Sequence, residues 1–177
     1  MDAQERAIQT AGWITTVLLA AAVMAGYNLL PALIDFPTDL TERLAFAVKA
    51  CVFPFFWVLV GVTLVSTGRR RSPEDIGGSA AGPPSDKIAI PAAFLQNTLE
   101  QAALAAVAYL ALAVLLKGPW LSLIVVGVIF FCVGRVLFLK GYRRGARGRA
   151  LGMTLTMLPA AAAYPLVLVL IAYGALT

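Results

Sequence analysis

One carboxylate stands alone in the second half of this 177-residue chain. Glu100 is the only acidic residue after Asp86, and it sits inside an apolar segment that runs from Ile88 to Leu116. Asn97 precedes it by three residues, and Gln96 and Gln101 flank the pair. An acid within a bilayer-length helix costs at least ~2.5–3.5 kcal/mol on insertion scales, so such a residue normally has a partner or a task. The spacing puts Asn97 and Glu100 on one helix face, with Gln101 at its edge. At 1.5 Å per residue, Glu100 lies ~18 Å along the helix from Ile88, too deep to reach water easily. Its carboxylate must meet a polar neighbour, a cavity or a bound ligand.

The next apolar segment supplies candidates. Arg135 precedes Tyr142 by two turns on the same face, with Phe138 between them. Arg135 lies ~10 Å from the end of its segment, and its long side chain could reach the level of Glu100. A carboxylate–guanidinium pair there would satisfy both charges. After Tyr142 come Arg143, Arg144, Arg147 and Arg149. Four guanidinium groups at the mouth of a polar pocket make an anion site by charge alone, and one held close to a thiol would favour the thiolate. The residues also fit a plainer reading. Asn97 and Glu100 could be interhelical glue with Arg135 as counter-ion, and the arginines after Tyr142 could only hold topology.

The elements that position these groups are membrane helices. The chain is 60% hydrophobic and 13% charged, where soluble domains carry roughly 25% charged residues. Its mean hydropathy is +0.86. Five apolar segments are each long enough to span a bilayer: about 11–34, 44–67, 88–116, 120–140 and 151–176. The net charge of +5 gathers in 69–71 and 140–149, at ends of apolar segments, which argues for membrane topology and against nucleic acid. The connector Asp35–Glu42 is acidic, and Lys117-Gly118-Pro119 is a tight turn. The positive-inside bias then predicts a cytoplasmic N-terminus and an outside C-terminus, as a multi-pass protein of a bacterial inner membrane. The leader Met1–Thr10 holds two acids and one Arg, a poor signal-peptide start, so the first segment is expected to be a retained helix.

Ser72–Ser85 is Gly, Pro, Ser and Ala rich and predicts a flexible cytoplasmic loop. Pro54, Pro159 and Pro165 interrupt apolar segments, and the alanines from Ala102 to Ala113, with Ala160–Ala163, suit close helix packing. Cys51 and Cys132 lack a metal or redox spacing, there is no histidine, and no metal site is expected.

Two strings resemble a known family. Leu95-Gln96-Asn97-Thr98-Leu99-Glu100-Gln101 is similar to the second core helix of the MAPEG family, the membrane-associated proteins in eicosanoid and glutathione metabolism. Gly134-Arg135-Val136-Leu137-Phe138-Leu139-Lys140-Gly141-Tyr142 looks like that family's Arg-x-x-Tyr-x-x-Gly-Tyr string. A weaker match is the loop, with basic residues, then Ser-Pro, then Gly-Pro-Pro. The resemblance covers roughly residues 43–177 and departs from the pattern at Ala93, Gln101 and Phe138, where the family often has Arg, Tyr and Tyr.

The resemblance implies an all-α integral membrane protein. It would have a four-helix core over 43–177, with a cytoplasmic loop at 68–87, and an additional N-terminal transmembrane helix and outer loop over 1–42. It implies a homotrimer in membrane lipid, with glutathione as co-substrate bound between subunits. Asn97, Glu100, Gln101, Arg135, Tyr142, Arg144, Arg69 and Arg70 would bind glutathione, with Glu100 facing its γ-glutamyl amino group. Arg149 would be catalytic, stabilising the thiolate. The activity implied is a transferase or peroxidase acting on a lipophilic small molecule. The alternatives are a non-catalytic lipid-binding or scaffold protein of the same fold and, less favoured, a proton-coupled transporter using Glu100.

Overall fold

A computed structural model describes residues 3–176, and among these all regular structure is helical, with no strand. Part of the leader read from Met1 to Thr10 therefore lies outside the described residues. The helices are α1 (Ala3–Leu29), α2 (Leu40–Arg70), α3 (Asp86–Leu115), α4 (Ser122–Gly141) and α5 (Gly145–Leu176). Four continuous helical stretches are long and apolar enough to cross a membrane, and the last, Gly118–Ala175, contains both α4 and α5. By length and composition this is a multi-pass membrane protein.

Local signals fix the helix ends. Asp39 caps α2, its carboxylate accepting from the backbone N–H of Thr41 at 2.8 Å and of Glu42 at 3.3 Å. Arg43, in the first turn of α2, donates to the carbonyls of Val114 and Leu116 at the end of α3, a cation on the negative end of a helix. Gly118 turns the chain between α3 and α4 at φ +58°, and Gly145 opens α5 at φ +70°, both conformations that glycine adopts freely.

The bundle is built from two antiparallel hairpins, α2–α3 and α4–α5, with α1 laid against α4 and α5. Small residues set the approach of α4 to α5. A Cβ on Gly152 would meet the Phe138 backbone N at 2.2 Å, and one on Gly134 would meet the Thr156 hydroxyl at 2.3 Å. Buried alanines do the same for α3: Ala102, Ala105 and Ala113 pack with Tyr109, Leu121, Ile124 and Phe131. Large apolar side chains such as Val48, Phe53, Phe56 and Leu59 on α2 stay exposed, as a lipid-facing surface would. Pro54, Pro159 and Pro165 lie inside helices as read, and so does Pro91 in α3.

The segment after α2 differs from the flexible loop expected. It closes on Asp75, whose carboxylate accepts from the Ser85 backbone N–H at 2.9 Å and the Ser85 hydroxyl at 2.6 Å. Arg69 donates to the Ser79 hydroxyl at 2.7 Å, and Lys87 pairs with Glu74 at 2.8 Å. The Gly/Pro composition sets chain stiffness, but one carboxylate accepting two hydrogen bonds is enough to shape the loop. The Ser72 hydroxyl and the Ser85 N–H beside Asp75 hold its carboxyl below the ordinary carboxylate range.

Candidate functional site

Arg135 is wholly buried, at 0% exposure, where α3, α4 and α5 meet. Its Nη1 donates to Asn97 Oδ1 at 2.8 Å and to the Thr98 hydroxyl at 3.4 Å. Its Nε donates to the Thr156 hydroxyl at 3.0 Å. The guanidinium carbon stands 4.5 Å from the Phe138 ring centre and 5.7 Å from that of Phe131. Each threonine hydroxyl donates to its own helix, Thr98 to the Phe94 carbonyl and Thr156 to the Gly152 carbonyl, which leaves its lone pairs facing Arg135. Neutral acceptors and aromatic faces, with no carboxylate, therefore hold this cation. The sequence reading missed Thr98 and Thr156. The signal was a hydroxyl beside Asn97 and another in an apolar run two positions after Thr154.

Glu100 is placed differently from the expectation. Its side chain does not meet Arg135. It lies on the exposed side of α3 and accepts a hydrogen bond from Gln96 Nε2 at 2.8 Å, one turn earlier on the same helix. Asn97 turns inward to Arg135, so the two residues that share a face by spacing diverge at their side-chain ends. The three-residue spacing subtends nearly a full turn, which leaves one residue at each edge of that face. Glu100 shares its exposed side with Leu99 and Leu104. Gln101 points the other way, into the buried stripe of α3 with Thr98, Ala102 and Ala105; it is 7% exposed, and its buried Oε1 has no partner among the described residues.

The end of α4 makes a second layer. Tyr142 follows α4 in a short 3-10 turn, and its ring packs edge-on against Phe138 with centroids 5.3 Å apart. The Arg149 guanidinium stacks over the Tyr142 ring at 4.4 Å and lies 6.0 Å from the Phe138 ring centre. Phe138 thus has Arg135 on the buried side and Arg149 toward the rim. It is itself 3% exposed, so the position offers ring surface to two cations and no face to a ligand. Arg144 and Arg70 are exposed at their helix ends. Arg69 is engaged by Ser79 within the α2–α3 loop.

Within the single chain, then, Asn97, Arg135, Tyr142 and Arg149 form one connected set through Phe138. Glu100 stands outside it, and Arg69 belongs to the loop. Of five cavities along the described residues, none is lined by Asn97, Glu100, Arg135 or Tyr142. Among the described residues, no group of three or more His, Cys, Asp or Glu side chains is arranged to hold a metal.

Neither a curated protein nor a solved structure matches the chain. A family model does, over residues 44–174, a stretch that begins in the first turns of α2 and ends two residues before the end of α5. α1 lies outside that stretch. It includes every residue of the Arg135 set, Glu100 and the Arg143–Arg149 rim, so the chain belongs to the MAPEG family.

Proposed function

We propose that this chain is the protomer of a glutathione-dependent membrane enzyme, a transferase or peroxidase for lipophilic electrophiles, working as a homotrimer. The observation that carries the reading is the placement of Glu100. A carboxylate deep in a membrane helix lies on the outside of the protomer, next to Gln96 and without a paired cation among the described residues. Lipid is the wrong neighbour for it, because intramembrane acids face a bundle interior or a wet cavity. A second protomer covering the exposed side of α3 would turn that side into an interior, and an amino group of a ligand held between subunits would neutralise the charge. The family includes glutathione transferases, and glutathione supplies such an amino group together with carboxylates and a thiol.

In this reading the protein binds from the end that carries the arginines, which the positive-inside bias puts in the cytoplasm. α1 would be an addition to a four-helix family core. Glu100 takes the γ-glutamyl amino group. Tyr142 donates to a carboxylate or backbone carbonyl, and Arg144 and Arg70 add positive charge at the rim. Arg69 could join them only by leaving Ser79. Arg135, fully enclosed, acts by holding Asn97 in place, and Gln101 reaches a ligand only if its side chain turns outward. Arg149 is accessible in part and rests on Tyr142, so it is the cation best set to stabilise a thiolate. The thiolate sulfur then attacks the electrophile. A carbon–sulfur bond forms and the leaving group departs with its bonding electrons.

Calorimetric titration of glutathione into detergent-purified protein tests binding, and conjugation of a chlorinated aromatic tests turnover. Arg149→Ala should lower kcat/KM about 10²–10³-fold while leaving the melting temperature near that of the unaltered chain. Binding without turnover, or turnover indifferent to Arg149, would sink the catalytic reading.

A second reading, a lipid-binding or scaffold protein of the same family, is favoured by Phe138 and Gln101. Both stand where the family often has tyrosine, and both are buried here. Stabilisation by lipid with none by glutathione would decide for it.

A further inference from the structure

The amino-terminal ends of α1 and α5 border an open cavity of about 530 Å³ that no step above uses. Arg6 and Arg147 stand at its rim, and its lining includes Thr10, Ala11, Ile14 and Leu151. We propose that this cavity binds a phosphate-bearing anionic amphiphile, with the headgroup of an anionic phospholipid between Arg6 and Arg147 and its acyl chain along Ile14 and Leu151. The proposal is independent of the glutathione reading.

The two helices run parallel here. The Thr15 and Thr154 hydroxyls bond at 2.7 Å, and the Thr154 hydroxyl also reaches the Ala11 carbonyl at 3.4 Å. Thr15 is fully buried, so the two helices are in close contact at this junction. Both helices carry an arginine in their first two turns, Arg6 in α1 from Ala3 and Arg147 in α5 from Gly145. Two helix N-termini at one end add their positive ends to two guanidinium charges. Glu5 lies in the same turn of α1 but does not line the cavity.

The volume falls within the usual range for small-ligand sites of roughly 300–1,000 Å³. Its layout favours an amphiphile over a free anion. Ile14 follows Arg6 by eight residues, about 12 Å along the helix, so charge at the rim gives way to apolar lining with depth. A phospholipid has the same order, phosphate at the interface and hydrocarbon beneath. The Thr10 hydroxyl is already donated to the Arg6 carbonyl at 2.8 Å, which leaves recognition of the phosphate to the two arginines.

The full chain, delipidated in detergent, can be titrated by native mass spectrometry with phosphatidylglycerol, with phosphatidylcholine of the same acyl chains, and with inorganic phosphate. At about 5-fold per basic residue near an anionic headgroup, the two arginines should favour phosphatidylglycerol over phosphatidylcholine by about 25-fold. Arg6→Gln with Arg147→Gln should remove that preference, Arg6→Lys with Arg147→Lys should keep most of it, and Arg143→Gln, outside the cavity, should leave it unchanged. The contrast between the two lipids in the unaltered chain needs no variant to fold. Equal binding of both lipids, a preference that survives the double Gln variant, or a loss as large in Arg143→Gln would overturn the proposal. Inorganic phosphate binding as tightly as phosphatidylglycerol would also overturn it, because the site would then read the anion alone.

Discussion

Arg135 and Glu100 sit at nearly the same depth of the bundle, since Arg135 reaches Asn97 and Glu100 is three residues, roughly 4.5 Å, further along α3. Their surroundings are opposite. Arg135 is enclosed by three helices and held through three acceptors and two aromatic rings of its own chain. Glu100 lies on the outside with one neutral neighbour from its own helix. A charge whose partners are all within one chain belongs to that chain's fold. A charge left outside at membrane depth needs a partner beyond its own fold, which the proposed function supplies as a ligand held between protomers.

Substitutions that remove each charge sharpen this contrast. Arg135→Ala should have the largest effect, a loss of about 3–4 kcal/mol of stability, because it leaves a cavity and strips Asn97 of its donor. The measurement is the midpoint of denaturant-induced unfolding in detergent. A change below ~1 kcal/mol would mean that Arg135 is dispensable to packing, and the contrast would fail. Glu100→Gln should do the reverse. Glutathione affinity should fall about 10–100-fold, the worth of one charge-assisted hydrogen bond, while the unfolding midpoint stays within ~0.5 kcal/mol. A strong loss of stability on Glu100→Gln would place that residue among the structural charges instead.

The smallest effect concerns the loop, where Asp75 is a third charge satisfied within its own chain. Its carboxyl is held below the ordinary value by the Ser72 hydroxyl and the Ser85 N–H. A carboxyl with a lowered folded pKa stabilises fully above the unfolded value of about 3.9 and loses that contribution as pH falls through the folded value. Amide exchange at Ser85, taken relative to the intrinsic rate at each pH, should therefore stay slow near neutral pH and quicken only below about pH 4. Asp75→Ala should quicken it several-fold at neutral pH. Equal exchange in both forms would show that the loop is not closed by this residue.

Much of the fold was legible because bilayer length and hydropathy leave few choices. Each apolar segment became a helix, with ends shifted by up to eight residues, the start of α2 by the Asp39 cap and that of α5 by the turn at Gly145. The Asn97–Glu100 string and the Arg135–Tyr142 string were legible as local patterns, and the family match covers both. Less legible was which of these side chains meet. Helical spacing gives a direction only to within a fraction of a turn, so it could not say that Asn97 turns inward while Glu100 stays out, or that Gln101 joins the core. The order of the Ser72–Ser85 loop was hidden for a related reason. Its composition describes average stiffness, whereas its shape rests on Asp75 meeting Ser85.

The sequence by itself determined a membrane protein of helices, the register of its polar residues along them, and the gathering of positive charge in two segments. These follow from one-dimensional quantities, namely apolar length, residue spacing and the position of charges along the chain. Only the tertiary structure decided that Arg135 donates to Asn97, Thr98 and Thr156 through Nε and Nη1 while its buried Nη2 finds no partner among the described residues, that Phe138 lies between two guanidinium groups, and that Arg6 and Arg147 share one cavity. Those outcomes depend on the rotation and approach of helices, which glycines and alanines at contact positions fix through close packing, and no run of residues read alone carries that geometry.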